Sequence, residues 1–184
     1  MNNTQPHWKK LGRKAVFESR FLDVYEDTVE LPNGTVIDDY TLTKKPSYVI
    51  VLAVTPDQKI IVFKEYKYAV NEELWSFPAG TFKDGENPEE TAKRELLEET
   101  GYTSDSFELL GKLYEYPTKD LHECYVYVAK DIRKVGEHAH EATETIGKIM
   151  TLSLDEVRKS IKNGEWKAAT LLAAFLLYEY SSVK

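Results

Sequence analysis

The chain has 184 residues, 42% of them hydrophobic and 30% charged, with a formal net charge of −7 and a pI near 5.2. That length suits one domain with an appendage; the acidic balance argues against a general nucleic-acid binder, and no run of about 18 apolar residues is present to span a membrane. The single cysteine, Cys124, cannot close an internal disulfide, and the polar first ten residues lack the apolar centre of a signal peptide, so a cytoplasmic protein is expected.

Residues 13–44 are rich in strand formers, among them Val16, Phe21, Val24, Val29, Ile37 and Leu42. Pro32-Asn33-Gly34 sets a turn between two such runs, so a hairpin is predicted, followed by a loop at Lys44-Lys45-Pro46. Tyr48 to Val54 and Lys59 to Tyr66 are predicted core strands joined around Pro56-Asp57. Residues 71–87, rich in Gly, Pro and acids, are predicted as loop with a short strand near Trp75. Asn87 to Gly101 is the clearest helix: Asn87 is a good N-cap, Pro88 fits the first turn, Glu90 completes a capping box, and Gly101 is a natural stop. Phe107 to Tyr116 and His122 to Ala129 are predicted strands, Lys130 to Thr145 a long polar loop, and Ile146 to Leu152 a last strand. Ser153 and Glu156 cap a further helix that Gly164 ends, and a final helix is predicted from Glu165 to Tyr180. Strands around one central helix, followed by two terminal helices, indicate an α/β sandwich of mixed sheets.

The central helix carries the chemistry. Glu95, Glu98 and Glu99 stand at i, i+3 and i+4 and share one face. Like charges at that spacing repel by roughly a few tenths of a kcal/mol per pair. Glu98 and Glu99 also sit in the last turn, where the helix dipole disfavours each by about 0.3–1 kcal/mol. A helix selected for stability alone would place lysines there. Clustered carboxylate oxygens are what a hard divalent ion, Mg²⁺ or Mn²⁺, prefers, and such an ion would offset the penalty. It would also reconcile an anionic substrate with an acidic chain. Arg94, one turn before Glu98, can pair with it and leave Glu95 and Glu99 to a metal. A solvated acidic face is the bland alternative; the glycine-rich lead-in, Pro78-Ala79-Gly80 and Glu86 weigh against it.

These residues resemble the signature of the Nudix hydrolase family: a Gly, five residues, a Glu, seven residues, then Arg-Glu, an aliphatic, any residue, Glu-Glu, any residue, Gly and an apolar residue. Gly80, Glu86, Arg94, Glu95, Leu96, Glu98, Glu99 and Gly101 stand at every required spacing, and Tyr102 replaces the final aliphatic conservatively. The resemblance implies a Nudix α/β/α sandwich with mixed sheets and an N-terminal β-rich subdomain, divided as residues 1–45 and 46–184. It implies Glu95 and Glu99 as principal metal ligands, Glu98 as a ligand or its close partner, and the carbonyl of Ala79 as a further ligand. Glu86 would support the loop or reach the metal through water.

Other segments resemble the ADP-ribose pyrophosphatase and nucleoside-diphosphate-sugar hydrolase branch. Pro117 lies fifteen residues after Tyr102; Trp75-Ser76-Phe77-Pro78-Ala79-Gly80 is similar to that branch's Trp-Glu-Leu-Pro-Ala-Gly; Glu65-Tyr66-Lys67 is similar to its Gln-Tyr-Arg. Lys67 supplies a charge without arginine's bidentate fork. By this resemblance the enzyme hydrolyses ADP-ribose or a nucleoside-diphosphate sugar to a nucleoside monophosphate and a sugar phosphate. The β-rich leader would pack on, or swap with, the partner of a homodimer. An acidic loop before the last strand would supply the general base, Glu144 first and Glu141 second, beside His138 and His140; Glu98 and Arg94 complete the catalytic set. Lys67, Pro117 and Glu123 are the expected substrate contacts, with Lys44 as a further phosphate contact. Tyr25, Tyr40, Phe82 and Tyr114 are candidate platforms for the base. Two alternatives stay open: a Nudix pyrophosphatase of dinucleoside polyphosphates or oxidised nucleotides, against which Pro117 and the leader speak, and a non-catalytic nucleotide-sensing module, against which the intact signature speaks.

Overall fold

The computed structural model describes residues 7–137 and 145–181. The chain divides into two compact units: the residues up to Pro46 with Tyr114–Glu123, and Ser47–Leu113 with the residues from Cys124 onward. The first unit therefore gathers a distant segment, Tyr114–Glu123, beyond the leader that the sequence delimits at residue 45.

In the first unit, β1 (Lys9–Phe17), β2 (Asp23–Glu30) and β3 (Val36–Lys44) form an antiparallel meander in that order. The Pro32-Asn33-Gly34 hairpin is present: Leu31 N–H donates to Thr35 O at 2.8 Å, and Gly34 takes the left-handed conformation at φ 83°. β1 starts at Lys9, before the predicted β-rich stretch. Its Lys-Lys-Leu-Gly-Arg opening has little strand propensity; it is extended because β2 pairs with it, helped by a bidentate Arg13–Asp27 pair at 2.7 and 2.8 Å. Tyr114–Glu123 is tied to β3, with Thr43 N–H on Lys119 O at 2.9 Å, Leu121 N–H on Thr43 O at 2.8 Å, and Tyr40 Oη on Thr118 O at 2.7 Å.

The second unit is an α/β/α sandwich. Its elements are β4 (Tyr48–Ala53), β5 (Lys59–Lys67), β6 (Glu72–Ser76), β7 (Ala79–Thr81), α1 (Pro88–Thr100), β8 (Tyr102–Thr103), β9 (Ser106–Leu113), β10 (Cys124–Lys130), β11 (Arg133–Lys134), β12 (Met150–Ser153), α2 (Leu154–Lys162) and α3 (Ala169–Tyr180). One mixed sheet runs β7-β4-β10-β9, with β4 and β10 parallel; a second, antiparallel, runs β12-β5-β6; β11 and β8 pair as a short ribbon. Strand alternation sorts the core into two layers. Ile50, Leu52, Ile60, Val62, Val126 and Val128 pack in one cluster with Val157 of α2 and Leu171, Ala174, Phe175 and Tyr178 of α3. Val49, Val51, Ala53, Ile61, Tyr127 and Ala129 pack in the other with Ala92 and Leu96 of α1. Burying a side chain such as Leu96 contributes roughly 1.5–3 kcal/mol, so this layer anchors α1 through one face.

Several further boundaries differ from the sequence expectation, among them the start of β10 at Cys124 rather than His122. β9 stops at Leu113, its last residue paired with β10, and the chain beyond it bonds instead to Thr43 of β3 through Lys119 and Leu121. Ile146 makes only an isolated bridge to Glu65, and the last strand begins at Met150. The final helix starts at Ala169, not Glu165. Trp166 is the reason: it is buried, donates its Nε1–H to Ser160 Oγ at 2.8 Å and stacks on Trp75, which keeps residues 165–168 out of the helix.

Candidate active site

α1 is built by local chemistry. The Asn87 side chain accepts from the N–H groups of Glu89 and Glu90, Glu90 reaches back to Asn87 N–H, and Gly101 ends the helix at φ 74° with its N–H on Leu97 O. A Cβ on Gly101 would also lie 2.3 Å from Gly136 O, so both backbone sign and space require glycine here. With Ala92 and Leu96 fixed against the sheet, the helix turns Glu95 and Glu99 inward: they are 6% and 4% exposed.

Arg94 organises these carboxylates. Its Nε and Nη2 donate to Glu86 at 2.7 and 3.0 Å, its Nη1 to Glu95 Oε1 at 2.7 Å and Glu98 Oε2 at 2.9 Å, and Nη2 also to Thr81 O at 3.0 Å. One positive charge is thus shared by three carboxylates. The guanidinium, with Lys83 N–H and the Thr91 hydroxyl, holds the Glu86 carboxyl down at about 2, while these anions push Arg94 further up. Lys83 Nζ stands 3.4 Å from Glu98 Oε1. Glu99 Oε2 accepts from the amide of Ala79 at 2.9 Å. The carboxylate of Glu95 lies against Gly80: a Cβ at that position would fall 2.0 Å from Glu95 Oε1.

The donor set fits a hard divalent ion. It offers several carboxylate oxygens on adjacent turns, two of the side chains almost sealed from water, and a glycine that leaves room beside one of them. Ala79, Arg94, Glu95, Glu98 and Glu99 are thus brought together, with Ala79 meeting Glu99 through its amide. Lys67 closes β5 and donates to Glu65. Pro117 lies in the turn at Tyr116–Asp120 and Glu123 directly precedes β10; both belong to the first unit, whereas α1 belongs to the second. Glu141, Glu144, His138 and His140 lie outside the described residues. Of the candidate aromatics, Tyr40 packs edge-on to Trp8 with Lys119 Nζ 3.7 Å from its ring, Phe82 packs on Tyr125, and Tyr25 lies under the Arg13 guanidinium. Tyr114 is exposed.

Sequence reasoning missed the support that Thr81, Lys83 and Thr91 give to this arrangement. Only their position between Gly80 and Arg94 marks them, since their contacts depend on how the loop returns to the helix. It also missed a second cluster, Glu115, Asp120 and His122, whose ligand atoms lie within 4.8 Å of one another. The sole signal there is an Asp-x-His spacing.

The NUDIX domain family matches residues 44–175, and the family described as the nucleoside diphosphate sugar hydrolase N-terminal domain matches residues 8–42. The chain is 31% identical over 157 residues to the ADP-ribose pyrophosphatase of Bacillus subtilis (strain 168), covering 85% of this chain and 84% of that protein. It is 30% identical over 177 residues to the methanol dehydrogenase activator of Bacillus methanolicus, covering 96% and 95%. A solved structure of an ADP compounds hydrolase matches with a TM-score of 0.80 over 95% of this chain and 93% of that chain; at 21% identity the likeness is one of fold.

Proposed function

The chain belongs to the NUDIX family and is a hydrolase of it, and from that premise we propose that it cleaves the diphosphate bridge of ADP-ribose or a nucleoside-diphosphate sugar, with Mg²⁺ or Mn²⁺ as cofactor. The observation that carries this reading is the Arg94-centred carboxylate set on α1, in a chain whose leader matches a nucleoside diphosphate sugar hydrolase domain. In the reaction, water adds to one phosphorus, the bridging P–O bond breaks, and its electron pair leaves with the second phosphate. Glu95, Glu98 and Glu99 with the Ala79 carbonyl would hold the divalent ion, which when bound would supply charge neutralisation at the phosphates and a lower pKa for water.

The protein's own groups do the rest. Arg94 fixes the orientation of Glu95 and Glu98, and the Ala79 amide fixes Glu99. Glu144 is the proposed base that takes the proton from water, with Glu141 as the second candidate. Lys67, Pro117 and Glu123 are the proposed substrate contacts. The enzyme works as a cytoplasmic homodimer in this reading. Among the described residues, no helix is long and apolar enough to cross a membrane.

The test is release of AMP from ADP-ribose with Mg²⁺ present and then chelated, alongside a panel of nucleoside-diphosphate sugars. Turnover that vanishes on chelation supports the proposal; no nucleoside monophosphate from any of these substrates defeats it. Comparing Glu144→Gln with Glu141→Gln assigns the base, since loss of that group lowers kcat by roughly 10²–10⁴.

A further inference from the structure

Tyr114–Glu123 carries metal-ligating groups that the proposed hydrolysis does not use. Glu115, Asp120 and His122 each direct one ligand atom into a common region, all within 4.8 Å of one another. His122 is 3% exposed, and a carboxylate oxygen faces each of its ring nitrogens. Glu115 Oε2 is 2.8 Å from Nε2; Asp120 Oδ2 is 3.8 Å from Nδ1, an atom sealed from solvent.

The segment is also held in place. Tyr116 O accepts the N–H groups of Lys119 and Asp120 at 3.0 and 2.8 Å, and Thr43 of β3 engages Lys119 O and Leu121 N–H through its backbone. The Thr43 hydroxyl donates to Asp120 Oδ1, and Lys45 Nζ reaches Asp120 Oδ2 at 3.1 Å from a side chain that is 43% exposed. All of these residues lie in the first unit.

We propose that Glu115, Asp120 and His122 form a binding site for a first-row transition ion, Zn²⁺ foremost, distinct from the carboxylate site on α1. One imidazole and two carboxylates are a donor set that zinc accepts, with a fourth position for water. Zinc bonds of about 2.0–2.2 Å place tetrahedral ligand atoms roughly 3.3–3.6 Å apart. An ion takes one nitrogen of the ring, and the three ligand atoms, within 4.8 Å of one another, reach that spacing by shifts of about an ångström, the carboxylate beside the other nitrogen turning toward the ion. A doubly charged ion would displace the ammonium of Lys45, whose exposed side chain water readily receives. Magnesium, which favours oxygen ligands and retains its waters, is the poorer fit to a site built on a buried imidazole.

The experiment counts zinc. Full-length protein is stripped of metal, dialysed against Zn²⁺ with excess Mg²⁺ present, and its bound zinc measured beside its melting temperature. Wild type is expected to hold one tightly bound Zn²⁺ and to melt higher with it. His122→Gln should lose that ion, Glu115→Gln should bind it at least about tenfold more weakly, and Glu99→Gln should keep it. Should His122→Gln fail to fold, Glu115→Gln, at a solvent-facing position, carries the test. No zinc on wild type, equal zinc on wild type and the Glu115 and His122 variants, or zinc lost only from Glu99→Gln would overturn the proposal.

Discussion

Arg94 takes Glu86 in a bidentate grip and reaches Glu95 and Glu98 with one hydrogen bond each, so its loss would disturb the whole carboxylate face. The grip lowers the Glu86 carboxyl from 4.5 to about 2. A carboxylate depressed on folding contributes stability that is complete above its unfolded value, near 4.5, and is lost as pH falls through about 2. Wild type should therefore lose stability across that window more steeply than Glu86→Gln, read as urea midpoints at stepped pH; parallel curves would refute the assignment. Glu99→Gln tests the site itself. The new amide oxygen can still accept from Ala79 N–H, so the fold should persist, with metal-free stability equal or slightly higher because a carboxylate leaves the negative end of α1. Turnover should fall by at least roughly a hundredfold, and a variant with wild-type kcat would remove Glu99 from the machinery. The identity of these carboxylates is legible in the sequence, because their spacing is a property of one helix. The approach of Gly80 to Glu95 is not, because a loop must fold back before the two meet.

At the scale of elements, α1 is the part of the fold most open to reading in advance. Its N-cap, capping box, first-turn proline and C-terminal glycine are all local signals, and the observed helix, Pro88–Thr100, lies between the residues that carry them. Asn87→Ala should cost about 1 kcal/mol of stability, and because the cap sits at the opposite end of α1 from Glu98 and Glu99 it should change kcat far less than Tm. A Tm unchanged within error would mean that packing alone holds the first turn. Elements set by distant partners were harder to read. β1 begins at Lys9 because β2 supplies its hydrogen bonds, not because Lys-Lys-Leu-Gly-Arg favours extension. The stretch 165–168 escapes the helical pattern because Trp166 is drawn into the core beside Phe77 and Trp75. Both are cases of tertiary contacts overriding a local tendency.

For the whole molecule, composition and the order of strands and helices were enough to indicate an α/β sandwich, but not the gathering of Tyr114–Glu123 into the leader's unit, which joins residues some eighty positions apart, such as Tyr40 and Thr118. The same leader bears on assembly. β1 is a nine-residue strand that pairs only with β2 among the described residues, and it leaves Leu11, Val16 and Phe17 about half exposed, with Phe21 at 66% just beyond. A long edge strand carrying exposed apolar side chains invites pairing with another chain, and natural proteins usually shield such an edge. In the proposed homodimer a second copy provides that shield, and a stable interface of this kind would bury roughly 1,200–2,000 Å² in total. Sedimentation at micromolar concentration is expected to give a dimer for wild type and a monomer for the paired substitution Val16→Asp, Phe17→Asp. Both positions lie on an exposed strand, so the variant should fold, which circular dichroism would verify. A wild type that sediments as a monomer, or a folded variant that stays dimeric, would show that β1 does not join the subunits.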